Sequence, residues 1–316
     1  MPNIWTHFLF GEQLLQQVAP DVAVELSDRK LRNLFRVGCQ GPDLLFYHRF
    51  LPLQRGLGMP ALGGAMHSSQ CGPVLSYMVR SVTGRPATDP ALIYVLGFLT
   101  HHVLDRNMHP YVFYRSGFRK WDHQRFEILM DTLIVRQRLG LETWRTPVWR
   151  ELDAGPRLPE SVTSLLLAVT GHYFPTLAEP LGAQDWNDAY RDMLRGQRLF
   201  HDPYGWKRAL TGGYIRKLVA EKNPPAIDIM NEARAVWHHP AVPEETFTES
   251  VWDMWELALE DGSRLLEAAM RCVRASAPQE KEQGWQSFIP ALGNISYETG
   301  KPCDSGLEVW FVDPVF

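Results

Sequence analysis

The chain lacks the features that mark several protein classes. Its 316 residues include four cysteines, which are far apart and have no CxxC spacing, so neither a zinc ribbon nor a disulfide framework is indicated. No run of Lys or Arg stands out and the formal net charge is -4, which disfavours a nucleic-acid backbone as the main partner. No apolar run approaches the roughly 18 residues of a membrane-spanning helix, and the start, MPNIWTHFLFGEQ, does not resemble a secretory signal. We therefore expect a cytoplasmic protein without a transmembrane segment.

Helical spacing of apolar residues dominates the chain, without internal repeats or low-complexity segments. The sequence predicts an all-α, multi-helix bundle. We expect one helical domain over 1–275 and an irregular C-terminal extension over 276–316, with a boundary near residue 145 as an alternative. A short β-like run lies at 307–312. The predicted helices span 5–18, 28–37, 72–82, 90–105, 122–139, 159–172, 184–199, 206–221, 226–237 and 244–275.

Two imidazole–carboxylate pairs stand out between residues 100 and 131. His101 and Asp105 form the first, and His123 and Glu127 form the second, each four residues apart. On a helix, side chains at this spacing lie one above the other on one face. His109 falls between the pairs, in a segment that we expect to be a loop. Imidazole and carboxylate are ordinary zinc ligands, so this stretch predicts a metal site, although one such pair alone is more typical of a plain surface pair.

Other polar residues in the first half extend the candidate site. Asp43 and His67 lie in Gly-containing segments that we expect to fold back as loops onto the helix pair. His102 points about 100° around the helix from His101, which favours a buried, hydrogen-bonded histidine rather than a ligand. Asp131 lies one turn past Glu127 and fits a role in orienting a ligand imidazole, with a solvated carboxylate as the alternative.

The order of these residues resembles the ligand order of the zinc-dependent phospholipase C family, which is related to the S1/P1-type nucleases. The similarity covers about residues 1–140, and the strings MPNIWTH, GCQGPDLLFYH, GFLTHHVLDRNMHP and HQRFE are similar to an uncharacterised bacterial branch. The resemblance implies a phospholipase C/P1 nuclease-like helical bundle that binds two to three Zn²⁺ ions. The metal ligands that it implies are His7, Asp43, His67, His101, Asp105, His109, His123 and Glu127.

The sequence departs from that family at three places. Secreted members begin with a Trp whose amino group and carbonyl hold one zinc ion, whereas Trp5 is internal here, and the amine of Pro2 is a weak substitute. The interval from Asp105 to His109 is shorter than usual. Leu44 replaces the aromatic residue found in choline-selective members. These departures affect the third zinc position, to which His7 would belong, and the head-group preference.

The ligand types predict a metal-dependent phosphoesterase. Clustered divalent ions activate a water for attack on phosphorus, Asp105 can bridge two ions, and Asp43 is either a ligand or the base that orients the water. We expect hydrolysis of a phosphodiester, with a phospholipid as the first substrate class and possible membrane-surface contact. Trp252, Trp255 and Trp310 would suit a lipid or partner surface, although Trp is more often a core residue. A nuclease or nucleotidase, and a non-catalytic metal-stabilised binding module, remain the alternatives.

Overall fold

A computed structural model describes residues 4–51 and 58–316. The fold is an all-α, multi-helix bundle with one short hairpin, which confirms the predicted class. The α-helices are α1 Ile4–Val18, α2 Pro20–Ala23, α3 Arg29–Gly38, α4 Met59–Ser68, α5 Cys71–Ser81, α6 Pro90–Ser116, α7 Asp122–Leu139, α8 Glu160–Tyr173, α9 Pro175–Ala178, α10 Ala183–Phe200, α11 Trp206–Leu210, α12 Val251–Arg274 and α13 Pro278–Leu292. Short 3₁₀ segments, called 3₁₀ turns below, lie at Val24–Ser27, Gly41–Tyr47, Val148–Glu151, Arg216–Leu218 and Cys303–Ser305, and the strands are β1 Trp237–His239 and β2 Val242–Phe247.

Helix α6 is the centre of the bundle, and it packs against α1, α3, α7 and α12. Asp89 begins it by accepting hydrogen bonds from the Ala91 and Leu92 amides, which satisfies two donors of the first turn. Glycines let α3 cross it closely. A Cβ at Gly38 would lie 2.4 Å from the Tyr94 carbonyl oxygen, and one at Gly97 would lie 2.3 Å from the Phe35 carbonyl oxygen. This close crossing brings the start of the next 3₁₀ turn against α6.

The predicted loop around His109 is wrong, because α6 continues without a break to Ser116. Pro110 lies inside this helix and cannot donate to the Arg106 carbonyl one turn earlier. Gly300 packs there instead, where an added Cβ would lie 2.3 Å from that carbonyl oxygen. Buried apolar side chains after Pro110 keep the helix in the core. His109 therefore lies on the same helix as His101 and Asp105, one turn beyond the carboxylate.

Three predicted helices in the second half are wrong or too long. Residues 226–237 form no helix, since Asn231 and Arg234 adopt positive φ angles of 51° and 55°. Residues 206–221 are helical only at α11 and at the 3₁₀ turn Arg216–Leu218. The last long helix begins at Val251, where Ser250 and Asp253 form a reciprocal capping box, and residues 242–247 pair as β2 with β1.

The C-terminal segment is more ordered than the sequence predicts. Residues 278–292 form α13, which packs on α12, while 307–312 form no strand. The irregular path begins after Leu292 and returns to the bundle, where the Tyr297 amide donates to the His67 carbonyl at 2.8 Å. The division at residue 275 stays a prediction. Within the described ranges, no helix is both long and apolar enough to cross a membrane.

Candidate metal centre

The fold brings the eight predicted donors together from five elements. His7 lies on α1, His101, Asp105 and His109 lie on α6, and the remaining donors come from the 3₁₀ turn, α4 and α7. Asp43 and His67 were expected in loops, but Asp43 lies in the 3₁₀ turn Gly41–Tyr47 and His67 lies on α4. Three groups of buried or partly buried donors could each hold a metal ion, with ligand atoms within 4.8 Å of one another: His7 with His101 and Asp105, Asp43 with His67 and His101, and His109 with His123 and Glu127.

Asp105 lies at the centre of the cluster. Its Oδ1 is 3.4 Å from His7 Nε2, and its Oδ2 is 3.1 Å from His101 Nε2. The same Oδ2 is 3.5 Å from His109 Nδ1. The two carboxylate oxygens therefore face different imidazoles, which is the arrangement that lets one carboxylate serve two ions.

Donor pairs flank Asp105 on both sides. His67 Nε2 lies 3.0 Å from Asp43 Oδ1 on one side. On the other, Glu127 Oε1 lies 2.9 Å from His123 Nε2 and 3.5 Å from His109 Nε2. Both the Asp43–His67 pair and the His7–Asp105 pair would use His101 as their third donor. Because one imidazole nitrogen binds one ion, His101 can complete only one of these two groups at a time.

Four imidazoles are held by their Nδ1 atoms so that Nε2 points into the cluster. Their partners are the carbonyls of Gly63 (His67, 2.7 Å), Cys39 (His101, 3.1 Å) and Tyr297 (His109, 3.1 Å) and the hydroxyl of Ser116 (His123, 3.0 Å). A carbonyl accepts only from a protonated Nδ1. In the neutral rings of His67, His101 and His109 the lone pair therefore lies on Nε2, as is usual for metal-binding histidines. The Ser116 hydroxyl can donate or accept, so it does not fix the tautomer of His123.

Several polar atoms of the cluster are buried without a hydrogen-bond partner among the described residues. They are both ring nitrogens of His7, Nε2 of His101 and of His109, Oδ2 of Asp43, and both carboxylate oxygens of Asp105. Each unsatisfied buried polar group costs about 1–3 kcal/mol. Converging, orphaned nitrogen and oxygen atoms of this kind fit a cation that would satisfy them together.

The protonation states also suit a cation. Burial opposes ionisation of Asp105, but the imidazoles of His101, His109 and His7 outweigh it and hold its pKa well below the usual range. For Asp43, burial is likewise outweighed by His101 and by the His67 hydrogen bond, so its pKa is lowered. Burial, with the nearby His101, lowers the pKa of His7 to about 3. At neutral pH the cluster therefore contains ionised carboxylates and a neutral His7.

Gly41 determines where the His101 ring can lie. It has a φ of +50°, and an added Cβ would lie 2.1 Å from Cδ2 of that ring. A positive φ is a conformation that side-chain-bearing residues rarely adopt. The glycine before Pro42 and Asp43 therefore brings the 3₁₀ turn into contact with α6.

Asp131 forms no hydrogen bond with an imidazole of the described residues, so its predicted role in orienting one is wrong. The alternative of a solvated carboxylate is also wrong, because the side chain is fully buried. It accepts hydrogen bonds from the backbone amides of Trp5 at 3.0 Å and Thr6 at 2.9 Å, and from the Thr6 hydroxyl. These amides belong to the first turn of α1 and have no partner within the helix. Asp131 of α7 thus fixes the start of the helix that carries His7.

No pattern in the sequence predicts that the C-terminal extension enters the cluster. The Tyr297 ring is buried, with its centroid 5.2 Å from that of His67 and 5.6 Å from that of His101. His102 is buried beside it, and its Nε2 donates to the Ile295 carbonyl at 3.0 Å, which confirms the predicted hydrogen-bonded histidine. These contacts form because the chain returns to the bundle after α13.

His123 is the most exposed donor, at 15% of its side chain. Phe113, which is partly exposed, lies 4.7 Å from it between ring centroids, and Phe46 lies 5.5 Å from His67. These rings border the cluster on its outer sides.

Comparison of the chain with models of protein families, with curated proteins and with solved structures finds no match.

Proposed function

We propose that the chain is a zinc-dependent hydrolase of phosphoric esters that cleaves a phosphodiester, with phospholipid as the substrate class to test first. The observation that carries the proposal is the set of orphaned donor atoms around Asp105. Imidazole nitrogens combined with carboxylate oxygens suit zinc better than magnesium or calcium, which prefer oxygen donors throughout.

We infer that Asp43, His67 and His101 hold one ion with Asp105 Oδ2, and that His109, His123 and Glu127 hold its neighbour. His7 and Asp105 Oδ1 offer only two donors to a third ion once His101 is engaged. A third ion there would be the weakest. The amine of Pro2, which was considered as a further ligand of this third ion, lies outside the described residues.

Divalent ions in such a pair, when bound, lower the pKa of a water and neutralise charge on the phosphoryl oxygens. The chain's own part is to orient the reactants. Asp43 would offer the ion its Oδ1, which faces His67 Nε2, whereas its Oδ2 is free to accept a hydrogen bond from the attacking water. Its lowered pKa keeps it ionised for that purpose. Phe46 and Phe113 offer apolar contacts to a substrate at the rim.

The deciding experiment measures hydrolysis of phospholipid, phosphodiester and nucleic-acid panels by the zinc-loaded chain. We expect turnover of the phospholipid panel, and loss of activity in His101→Ala but not in His172→Ala, a control histidine exposed on α8. Turnover of nucleic acid alone would assign the cluster to a nuclease or nucleotidase instead.

A structural metal centre is the second candidate, and deep burial favours it. Apart from His123, the side chains of the donors are at most 4% exposed. In that case zinc would raise thermal stability without turnover of any panel member, and His101→Ala would unfold at a lower temperature than His172→Ala.

A further inference from the structure

A row of exposed apolar side chains follows α11. Tyr204, Trp206, Leu210 and Tyr214 are 88%, 54%, 77% and 66% exposed. Trp206 and Leu210 are four residues apart on α11 and therefore share a face. Single exposed apolar residues are ordinary, but several large ones in succession mark an interaction surface.

This row continues onto the turn between α6 and α7. Phe118 in that turn is 61% exposed, and the neighbouring Lys120 places Nζ 6.0 Å from the Tyr214 ring centroid. We refer to Phe118, Tyr204, Trp206, Leu210 and Tyr214 as the aromatic patch.

The aromatic patch adjoins the most exposed end of the metal cluster. Lys217, three residues after Tyr214, forms an ion pair with Asp122, the first residue of α7. The 3₁₀ turn Arg216–Leu218 packs on the same helix. The next residue of α7 is His123, the donor with the most exposed side chain. A molecule held on the patch would thus lie beside His123.

The backbone under the patch is firmly held. Lys207 Nζ donates to the carbonyls of Arg198 at 2.8 Å and His201 at 2.7 Å, where α10 ends. Asp202 is buried and accepts from the amides of Lys207 at 3.2 Å and Arg208 at 3.0 Å. These bonds anchor α11 to the bundle, so its exposed face is part of the fold.

Local charge identifies the kind of partner. Most basic side chains around the patch are already paired, with Arg208 on Asp202, Arg216 on Glu221 and Lys217 on Asp122. Neither Arg119 nor Lys120 forms an ion pair with a described residue, so both are available. Exposed Trp, Tyr, Phe and Leu next to unpaired Lys and Arg are the composition that partitions into an anionic lipid surface. Protein interfaces are also rich in aromatic residues and Arg, but they are depleted in Lys, so Lys120 is the side chain that favours lipid.

The geometry points to the aromatic patch as a docking surface for an anionic phospholipid bilayer. Its rings and Leu210 lie at the level of the head groups, and Arg119 and Lys120 face the lipid phosphates. The surface differs from the one expected from the sequence, since Trp255 is buried and only Trp310 of the tryptophans considered there is among the most exposed apolar residues. This inference rests on the proposed function for its purpose, which is to bring a phospholipid to the metal cluster.

The test is co-sedimentation of the full, zinc-loaded chain with two kinds of vesicle, phosphatidylcholine alone and phosphatidylcholine with phosphatidylserine in a three-to-one ratio. We expect binding to the mixed vesicles, weakened about tenfold or more in the double variant Trp206→Ser/Leu210→Ser. The control is Leu257→Ser/Ile289→Ser, which removes two exposed apolar side chains from α12 and α13 and should bind as the parent does.

Charge is tested separately. Lys120→Glu should weaken binding to the mixed vesicles only, whereas Lys281→Glu, an exposed lysine on α13, should leave it unchanged. Failure of the parent chain to bind either vesicle, or equal binding by the patch and control variants, would overturn the inference. A dimer that the patch variant dissociates, without vesicle binding, would assign the surface to a second copy and also overturn it.

Vesicle binding requires no turnover, so its outcome is independent of the proposed function. Binding without hydrolysis of any lipid would leave the docking surface intact and reject the enzyme. Hydrolysis of dispersed short-chain phospholipid without vesicle binding would do the reverse.

Discussion

Replacing Gly41 by alanine tests whether the 3₁₀ turn determines the position of His101. The new Cβ would lie 2.1 Å from the ring, so the ring or the turn must move by more than an ångström to reach ordinary contact. The left-handed backbone costs about 1–2 kcal/mol with a side chain. A displaced His101 rotamer adds about 0.5–1.5 kcal/mol. We expect a loss of about 2–3 kcal/mol of unfolding free energy in the metal-free protein.

Zinc binding should suffer as well, because the displaced ring moves His101 Nε2 away from its position 3.1 Å from Asp105 Oδ2. Loss of a group that positions a ligand typically lowers metal affinity about 10–100-fold. The matched control is Gly84→Ala, where φ is +76° and an added Cβ meets nothing within 4 Å. Chemical denaturation and zinc titration of both variants provide the comparison. If Gly41→Ala lost no more stability than Gly84→Ala and bound zinc as the parent does, the packing argument would be wrong.

The other predictions concern single donors and their supports. His7→Ala should lower zinc content by at most one ion per chain and leave measurable activity, whereas His101→Ala should abolish activity; equal and complete loss in both would contradict a weak third position. Asp131→Ala should destabilise the start of α1 by about 1–3 kcal/mol, since the amides of its first turn lose their acceptor, and Asp131→Asn, which keeps one acceptor oxygen, should restore part of this in thermal unfolding. Burial lowers the pKa of His67, but the hydrogen bond and charge of Asp43 outweigh it and raise the pKa above 6.5, so zinc must displace a proton there. Zinc affinity should therefore fall with decreasing pH, and calorimetry should detect proton release on binding. An ordinary histidine titrates between pH 5 and 8, so a zinc affinity that is independent of pH over this range would contradict the prediction. In the metal-free protein the same pair should contribute stability below the unfolded pKa of His67, near 6.5, and lose it as pH rises through the raised folded value.

Local spacing was sufficient to predict part of the cluster. The pairs His101–Asp105 and His123–Glu127 are four residues apart on helices, so their convergence depends only on helix geometry and on α6 packing beside α7. His109 follows Asp105 at the same spacing, but it was not placed on the helix. It was assigned to a loop after a helix that ended at Asp105, but the helix continues to Ser116 because the residues after Pro110 are buried in the core. Tertiary packing thus outweighed the local signal.

Long-range contacts could not be read from the sequence. Asp131 was placed one turn after Glu127 correctly, but its partners are the amides of Trp5 and Thr6, which are 126 and 125 residues away. The ring of Tyr297 enters the cluster from a segment expected to lie outside it. These contacts depend on how the chain returns after α13, and no periodicity encodes that return. The start of α12, in contrast, could have been predicted from the sequence, since Ser250 and Asp253 have the spacing of a capping box.

The measurement that bears most directly on the central claim is the metal content of the purified chain. After zinc loading and dialysis, mass spectrometry should find two or three zinc ions per chain, and anomalous scattering should place them around Asp105. Asp105→Ala should lose most of them, because both of its oxygens face donors of different groups. A parent chain that retains no divalent ion under these conditions, or an Asp105→Ala variant with full occupancy, would contradict the assignment of the cluster as a metal centre.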